Sequence, residues 1–151
     1  MSRRRGVWSR LAARLARWWV RVRTPEPETR RLGRLGEKAA AEYLESLGYR
    51  VVGRNVFVPM GEADLVCESP EGVMVVVEVK TRLRGRSERS DAIAPEAAIT
   101  ARKARKLRSI ARHLAKTNGW AGVRIDSVGV EVPSVGPPMV RHTPGIAALG
   151  R

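Results

Sequence analysis

Residues 61–80 read Gly-Glu-Ala-Asp-Leu-Val-Cys-Glu-Ser-Pro-Glu-Gly-Val-Met-Val-Val-Val-Glu-Val-Lys, and a β-hairpin is the structure that suits them. The segments 62–68 and 73–81 have strand composition. They flank Ser69-Pro70-Glu71-Gly72, a turn signal with proline at its second position. The run Val73-Met74-Val75-Val76-Val77 predicts a central strand buried on both faces. Such a strand needs covering elements, and the flanking sequence supplies them.

Leu32 to Gly48 has helical periodicity, with Leu32, Leu35, Ala39, Ala40, Tyr43 and Leu47 on one face and Leu44 at its edge. Glu37 falls beside Leu44, at the border of the polar face. Gly48 is a helix stop, and Gly33 and Gly36 suggest a close backbone approach. Residues 49–58 predict a further strand. A second helix is expected from Glu96 or Thr100 to Thr117, with Leu107, Ile110, Ala111 and Leu114 inward, and a last strand over 123–132. The predicted order is α-β-β-β-α-β, an α/β fold with a mixed sheet and flanking helices. The expected organisation is an N-terminal extension over 1–23, a proline-marked linker over 24–30, a domain over 31–132 and an irregular tail over 133–151.

The hairpin also carries charge where half-buried strands are normally apolar. Alternation puts Glu78 and Lys80 on one face of their strand, and Glu62 and Asp64 on one face of theirs. Loop length decides whether the two sets meet. A two-residue loop sets Asp64 opposite Val77 and separates the carboxylates. A three-residue loop closed by Gly72 sets Asp64 opposite Glu78 and Glu62 opposite Lys80, and glycine at that position favours it. In that register Asp64, Glu78 and the Val79 carbonyl offer hard oxygen ligands to Mg²⁺ or Mn²⁺. Lys80 can hold a water and offset transition-state charge, and Glu37 can add a third carboxylate. Asp64, Glu78 and Lys80 in this setting suit the hydrolysis of phosphodiesters. A structural ion pair on a solvated strand face is the competing account of Glu78 and Lys80.

The formal charge of +14 over 151 residues points to a polyanionic partner. Residues 1–23 hold eight Arg and no acid, so more than half of that excess lies at one end. There Val7, Trp8, Leu11, Leu15, Trp18, Trp19 and Val22 recur at helical spacing opposite Arg10, Arg14, Arg17 and Arg21. This composition suits peripheral contact of residues 3–23 with an anionic membrane, contact with nucleic acid, or a loosely docked tail. Arg82, Arg84, Arg86 and Arg89, then Lys103 and Lys106 on the second helix, are candidates for phosphate contacts, with solvated faces as the alternative. Arg124 and Asp126 read as a structural pair. His113 and His142 have no ligand-spaced partner. A single cysteine, Cys67, excludes a disulfide framework, and no apolar run is long enough for a bilayer, which predicts a cytoplasmic chain. Few aromatics, 5%, argue against a base-stacking single-strand platform and for recognition of a duplex or junction.

In order and spacing, Gly33-Arg-Leu-Gly36-Glu37, Gly53-Arg-Asn55, Gly61-Glu62-Ala63-Asp64-Leu65, Val77-Glu78-Val79-Lys80-Thr81-Arg82, Lys103 and Arg124-Ile-Asp126 resemble the YraN family of endonuclease-like proteins. The resemblance covers residues 30–132; the Arg/Trp segment lies outside it. It implies a restriction-endonuclease-like core of the PD-(D/E)xK superfamily, similar to archaeal Holliday-junction resolvases. It also implies that Glu37, Asp64, Glu78 and Lys80 form an active-site motif. The expected activity is that of a Mg²⁺-dependent DNA endonuclease acting on branched DNA, for which symmetric cutting requires a homodimer. A catalytically silent nucleic-acid-binding protein on the same fold is the alternative.

Overall fold

The computed structural model describes residues 26–85 and 100–147. The segment 3–23, Arg86, Arg89 and the candidate helix start at Glu96 lie outside them. The elements are α1 (Glu28–Ser46), β1 (Arg50–Val58), β2 (Gly61–Glu68), β3 (Met74–Leu83), α2 (Ala101–Asn118), β4 (Val123–Val132) and β5 (Met139–Thr143). The strands form one mixed sheet in the order β1-β2-β3-β4-β5, parallel only between β3 and β4. Through β4 this is the α-β-β-β-α-β order expected from the sequence.

Val75, Val76 and Val77 are fully buried and alternate between two cores. Val75 and Val77 join Leu65, Cys67, Val128 and Val130 beneath Ala40, Ala41 and Leu44 of α1. Val76 joins Ala63, Val66 and Ile125 beneath Leu107, Ile110, Ala111 and Leu114 of α2. Each such aliphatic side chain contributes roughly 1.5–3 kcal/mol by its burial. The sheet is therefore the middle of three layers, with β3 at its centre.

Helix α1 packs on a different stripe from the one its large residues mark. Gly36, Ala40, Ala41 and Leu44 are buried, whereas Leu35 and Leu47 are each 46% exposed. The small residues win because they let the helix backbone reach the sheet. A Cβ on Gly36 would lie 1.8 Å from Thr81 Oγ1. Nothing crowds Gly33, so that glycine has no such role. The helix starts at Glu28, inside the stretch assigned to the linker, and the Pro27 carbonyl accepts its first bonds, from the Arg30 N–H (2.9 Å) and the Arg31 N–H (3.1 Å). At its other end Gly48 takes φ 85°, and the Tyr49 N–H returns to the Leu44 carbonyl at 3.0 Å.

The hairpin adopts the three-residue loop. Ser69 N–H donates to the Val73 carbonyl (2.8 Å), Gly72 N–H to the Ser69 carbonyl (2.9 Å), and Gly72 has φ 77°. The ladder runs from Glu68↔Met74 to Leu65↔Val77 and stops there. Beyond that point β2 stays paired with β1 down to Gly61, while β3 stays paired with β4 up to Leu83. The sheet thus opens between Asp64 and Glu78, which the continued register would place face to face.

One stretch assigned to an irregular tail is a strand: β5 pairs antiparallel with β4 from Ser127↔Thr143 to Glu131↔Met139. Pro137, Pro138 and Pro144 flank it rather than interrupt it, so its ladder keeps every donor it needs. His142, given no role from the sequence, reaches from β5 to Asp126, with Nε2 and Oδ2 2.9 Å apart. Asp126 is fully buried and also accepts from Arg124 Nε (2.8 Å), Arg124 Nη2 (2.9 Å) and Gly145 N–H (3.0 Å). The expected Arg124–Asp126 pair is therefore part of a structural network. Among the described residues no helix is long and apolar enough to cross a membrane.

Candidate active site

Where β2 and β3 part, side-chain chemistry replaces the lost ladder. Asp64 Oδ2 accepts from the Val79 N–H at 2.7 Å. Val79 thus offers Asp64 its N–H, where the sequence had suggested its carbonyl as a ligand. Glu78, one residue back on β3, pairs with Lys103 of α2, whose Nζ is 2.5 Å from Oε1. Thr100 caps α2 by accepting from the Lys103 N–H at 3.2 Å, which fixes the turn that carries this lysine. Glu37 arrives from the other face of the sheet, carried by the Gly36–Thr81 contact. Its Oε2 accepts from Asn55 Nδ2 at 3.2 Å.

All three carboxyl groups titrate above their ordinary range. Burial is the leading cause for each. The charge of Asp64 adds to the rise at both Glu37 and Glu78, so Asp64 is the middle of the row. Opposing this, Asn55 lowers Glu37, the Val79 N–H followed by Lys103 and Lys106 lowers Asp64, and Lys103 followed by Lys80 lowers Glu78. Coupled carboxylates held in partial burial favour a counter-charge. Lys106 lies close because its stem runs over Gly61, where a Cβ would meet its Cε at 2.3 Å.

The carboxylates make a row and not a cage. Among the described residues no three His, Cys, Asp or Glu side chains gather closely enough to hold one ion. Glu37, Asp64 and Glu78 were expected to converge. Asn55, the Val79 N–H and Lys103 each hold one of them in its own place. Asp64 and Glu78 alone remain a chemically suitable pair for Mg²⁺, which binds through one or two carboxylates and keeps several waters. Asp64 is held through Oδ2 by the Val79 N–H, and Glu78 through Oε1 by Lys103. The donor chemistry of these two carboxylates therefore fits such an ion.

Lys80 is exposed and acts on Glu78 only through space; the ammonium in contact is that of Lys103. Glu62, which the continued register would set opposite Lys80, lies beyond the end of the β2–β3 ladder. Its charge acts on Glu37 instead. Arg82 is exposed on β3 beyond Lys80, and Arg84 is exposed in the turn that follows. Asn55 was not picked out as a site residue. It has φ 49°, the only positive φ at a non-glycine among the described residues, in mid-strand. The motif Gly53-Arg-Asn55 held the signal, since asparagine is the side chain that best tolerates that conformation.

A model of the family described as "Uncharacterised protein family UPF0102" matches residues 36–130. The chain belongs to the UPF0102 family. This is the YraN family of the resemblance. A UPF0102 protein of Streptomyces coelicolor is 43% identical over 120 residues, covering 77% of this chain and 88% of the relative. One from Mycobacterium sp. strain KMS is 38% identical over 134 residues, covering 85% and 96%. Among solved structures, an EndoMS–dsDNA complex matches with TM-score 0.37 and 17% identity over 68% of this chain and 38% of that one. Pyrococcus furiosus SfsA in complex with Ca²⁺ matches with TM-score 0.37 and 19% identity over 78% and 64%.

Proposed function

We propose that this UPF0102 protein is a metal-dependent endodeoxyribonuclease that acts on duplex or branched DNA. The observation that carries this reading is the opening between β2 and β3. There, Asp64 and Glu78 are partly buried, both raised in pKa by burial and Glu78 further by the charge of Asp64, and bordered by Lys103, Lys106 and Lys80. Two carboxylates would hold Mg²⁺ or Mn²⁺, which supplies an acidified water and neutralises charge on a scissile phosphate. Around that chemistry the chain's own groups have separate tasks. The Val79 N–H fixes the Asp64 carboxylate, Asn55 fixes Glu37, and Lys103 holds Glu78 until a phosphate offers its ammonium another anion. Lys80 stands on the open side, where it can meet the phosphate or orient a water. Arg82, Arg84 and Lys106 give sequence-independent affinity for the backbone.

A second reading rests on the same lysine. With Lys103 on Glu78, one ligand oxygen is already satisfied, as it would be in a binding protein that keeps the fold without catalysis. One experiment separates the two. The full chain is incubated with four-way, nicked and continuous duplex DNA in Mg²⁺ or Mn²⁺, alongside Asp64→Asn, Glu78→Gln and Lys80→Ala. Cleavage by the wild type that falls at least about 100-fold in each variant supports the nuclease, removal of one transition-state contact costing roughly this much. Retarded DNA with no cleavage in either metal assigns the silent binder.

A further inference from the structure

The chain's single phenylalanine is on its surface. Phe57 is 76% exposed, at the end of β1, and Met60 in the following two-residue turn is 40% exposed. Its neighbours Val56 and Val58 turn inward and pack on the α2 core, so the hairpin tip is anchored while Phe57 points away from that core. Between them, Phe57, Pro59 and Met60 are three of the side chains that proteins use as wedges between base steps. A lone exposed apolar residue needs no explanation. Three in one tip beside a candidate site do.

Position gives the tip its partner. Phe57 is the register partner of Glu62, and Asp64 lies two residues further along β2, about 7 Å at strand rise. The Lys106 stem crosses Gly61 at the base of the same turn, which brings an ammonium to the tip. An apolar prong bordered by a basic helix and a row of carboxylates complements a stacked base pair next to a phosphate. Strand addition by a second copy suits β1 poorly. Its register slips between Val51 and Gly53, and Asn55 leaves the extended conformation, two devices that spoil a sheet edge as a template.

Resting on the nuclease-fold reading above, we propose that the β1–β2 tip is a wedge that stacks Phe57 against the base pair exposed at a discontinuity in duplex DNA. A branch point or a nick presents such a pair, and a continuous helix does not. The tip therefore selects branched over continuous substrate and sets the discontinuity beside the strand that carries Asp64.

The test uses the full chain in EDTA with a four-way junction, a nicked duplex and a continuous duplex of matched sequence, at one fixed salt concentration. A 2-aminopurine beside the discontinuity reports stacking. Phe57→Ala is expected to weaken binding to junction and nick about tenfold, the size of one lost base–aromatic stack. Binding to continuous duplex should change less than about twofold on the same grounds, and the 2-aminopurine change should vanish. Phe57→Trp should restore both. Because the side chain is exposed, the melting temperature should not move. Equal junction affinity in Phe57→Ala and wild type overturns the wedge alone. A dimer that becomes monomeric on Phe57→Ala also overturns it, making the tip a contact between copies. Failure of the wild type to bind any of the three DNAs overturns the wedge, and the nuclease reading falls with it only where Mg²⁺ and Mn²⁺ also give no cleavage.

Discussion

Asn55 shows how one residue can link a backbone irregularity to site geometry. At φ 49° it interrupts β1 between the paired residues Arg54 and Val56, and from there its amide reaches Glu37. The two roles can be separated. Asn55→Gly keeps the backbone free to adopt the left-handed conformation and removes the hydrogen bond. Asn55→Ala removes the bond and adds the left-handed penalty of about 1–2 kcal/mol. Urea unfolding should therefore find the Ala variant less stable than the Gly variant by about that amount. DNA cleavage should fall by a similar factor in both, since each releases Glu37. Equal stability of the two variants would show that the backbone at Asn55 relaxes freely.

Titration behaviour at the residue scale runs in two opposite directions. Glu37, Asp64 and Glu78 have folded pKa values raised above their ordinary ones, so the folded state binds their protons more tightly than the unfolded chain does. Stability from these groups is present at acid pH and declines as pH rises from the ordinary carboxylate range through the raised values. Asp126 behaves inversely. Although burial raises it, Arg124 first, then Gly145 N–H and His142, outweigh burial and hold it below its ordinary value. Its contribution is present at neutral pH and is lost on acidification. Thermal melts in EDTA should show Asp64→Asn and Glu78→Gln gaining on the wild type as pH rises above the carboxylate range. Mg²⁺, which binds ionised carboxylates, should narrow that gap by stabilising the wild type. Asp126→Ala should cost about 1–3 kcal/mol at neutral pH, because the Gly145 N–H and the half-buried Arg124 lose their acceptor.

At the scale of elements, the contact between α1 and β3 sets the position of Glu37. Gly36 touches Thr81 so closely that even a methyl group displaces one element or the other. Gly36→Ala should therefore lose roughly 1–3 kcal/mol, the usual cost of overpacking, despite the better helix propensity of alanine. Gly33→Ala, with open space around it, should be neutral or slightly stabilising, and chemical denaturation of the pair measures the difference. This contact also explains what the sequence could and could not reveal. The β3 valines and the Pro70-Glu71-Gly72 loop are local signals; the valines indicated a doubly buried strand and Gly72 favoured the odd hairpin register without excluding the even one. Ala40 was read correctly as inward, but size suggested Leu35 and Leu47 beside it, whereas backbone proximity to Thr81 selected Gly36. The salt bridge from Lys103 to Glu78 joins residues 25 apart across two elements, so spacing within either element could not disclose it. Nor could β5 be seen, as its prolines flank a five-residue strand whose partner lies elsewhere in the chain.

For the whole molecule the question is where the positive charge acts. Of the formal excess of +14, eight charges are the arginines of residues 1–23, interleaved with Trp8, Trp18 and Trp19. The remainder is spread over the domain, with Lys80, Arg82, Lys103 and Lys106 near the carboxylate row. Two anionic surfaces compete for these groups, a DNA backbone and an anionic lipid layer. Phosphate contacts by the domain lower the logarithm of affinity with the logarithm of salt concentration at a slope of about −0.9 per contact. A tryptophan-bearing amphipathic segment also gains from apolar burial in lipid, which salt does not screen. A chain lacking residues 1–25 discriminates between them. If the first segment serves the membrane, truncation abolishes co-sedimentation with liposomes containing phosphatidylglycerol and leaves the salt slope for junction DNA unchanged. If it serves DNA, the slope becomes shallower by the number of arginine–phosphate contacts removed. Liposome binding by the full chain is then displaced by salt, because only charge holds it there.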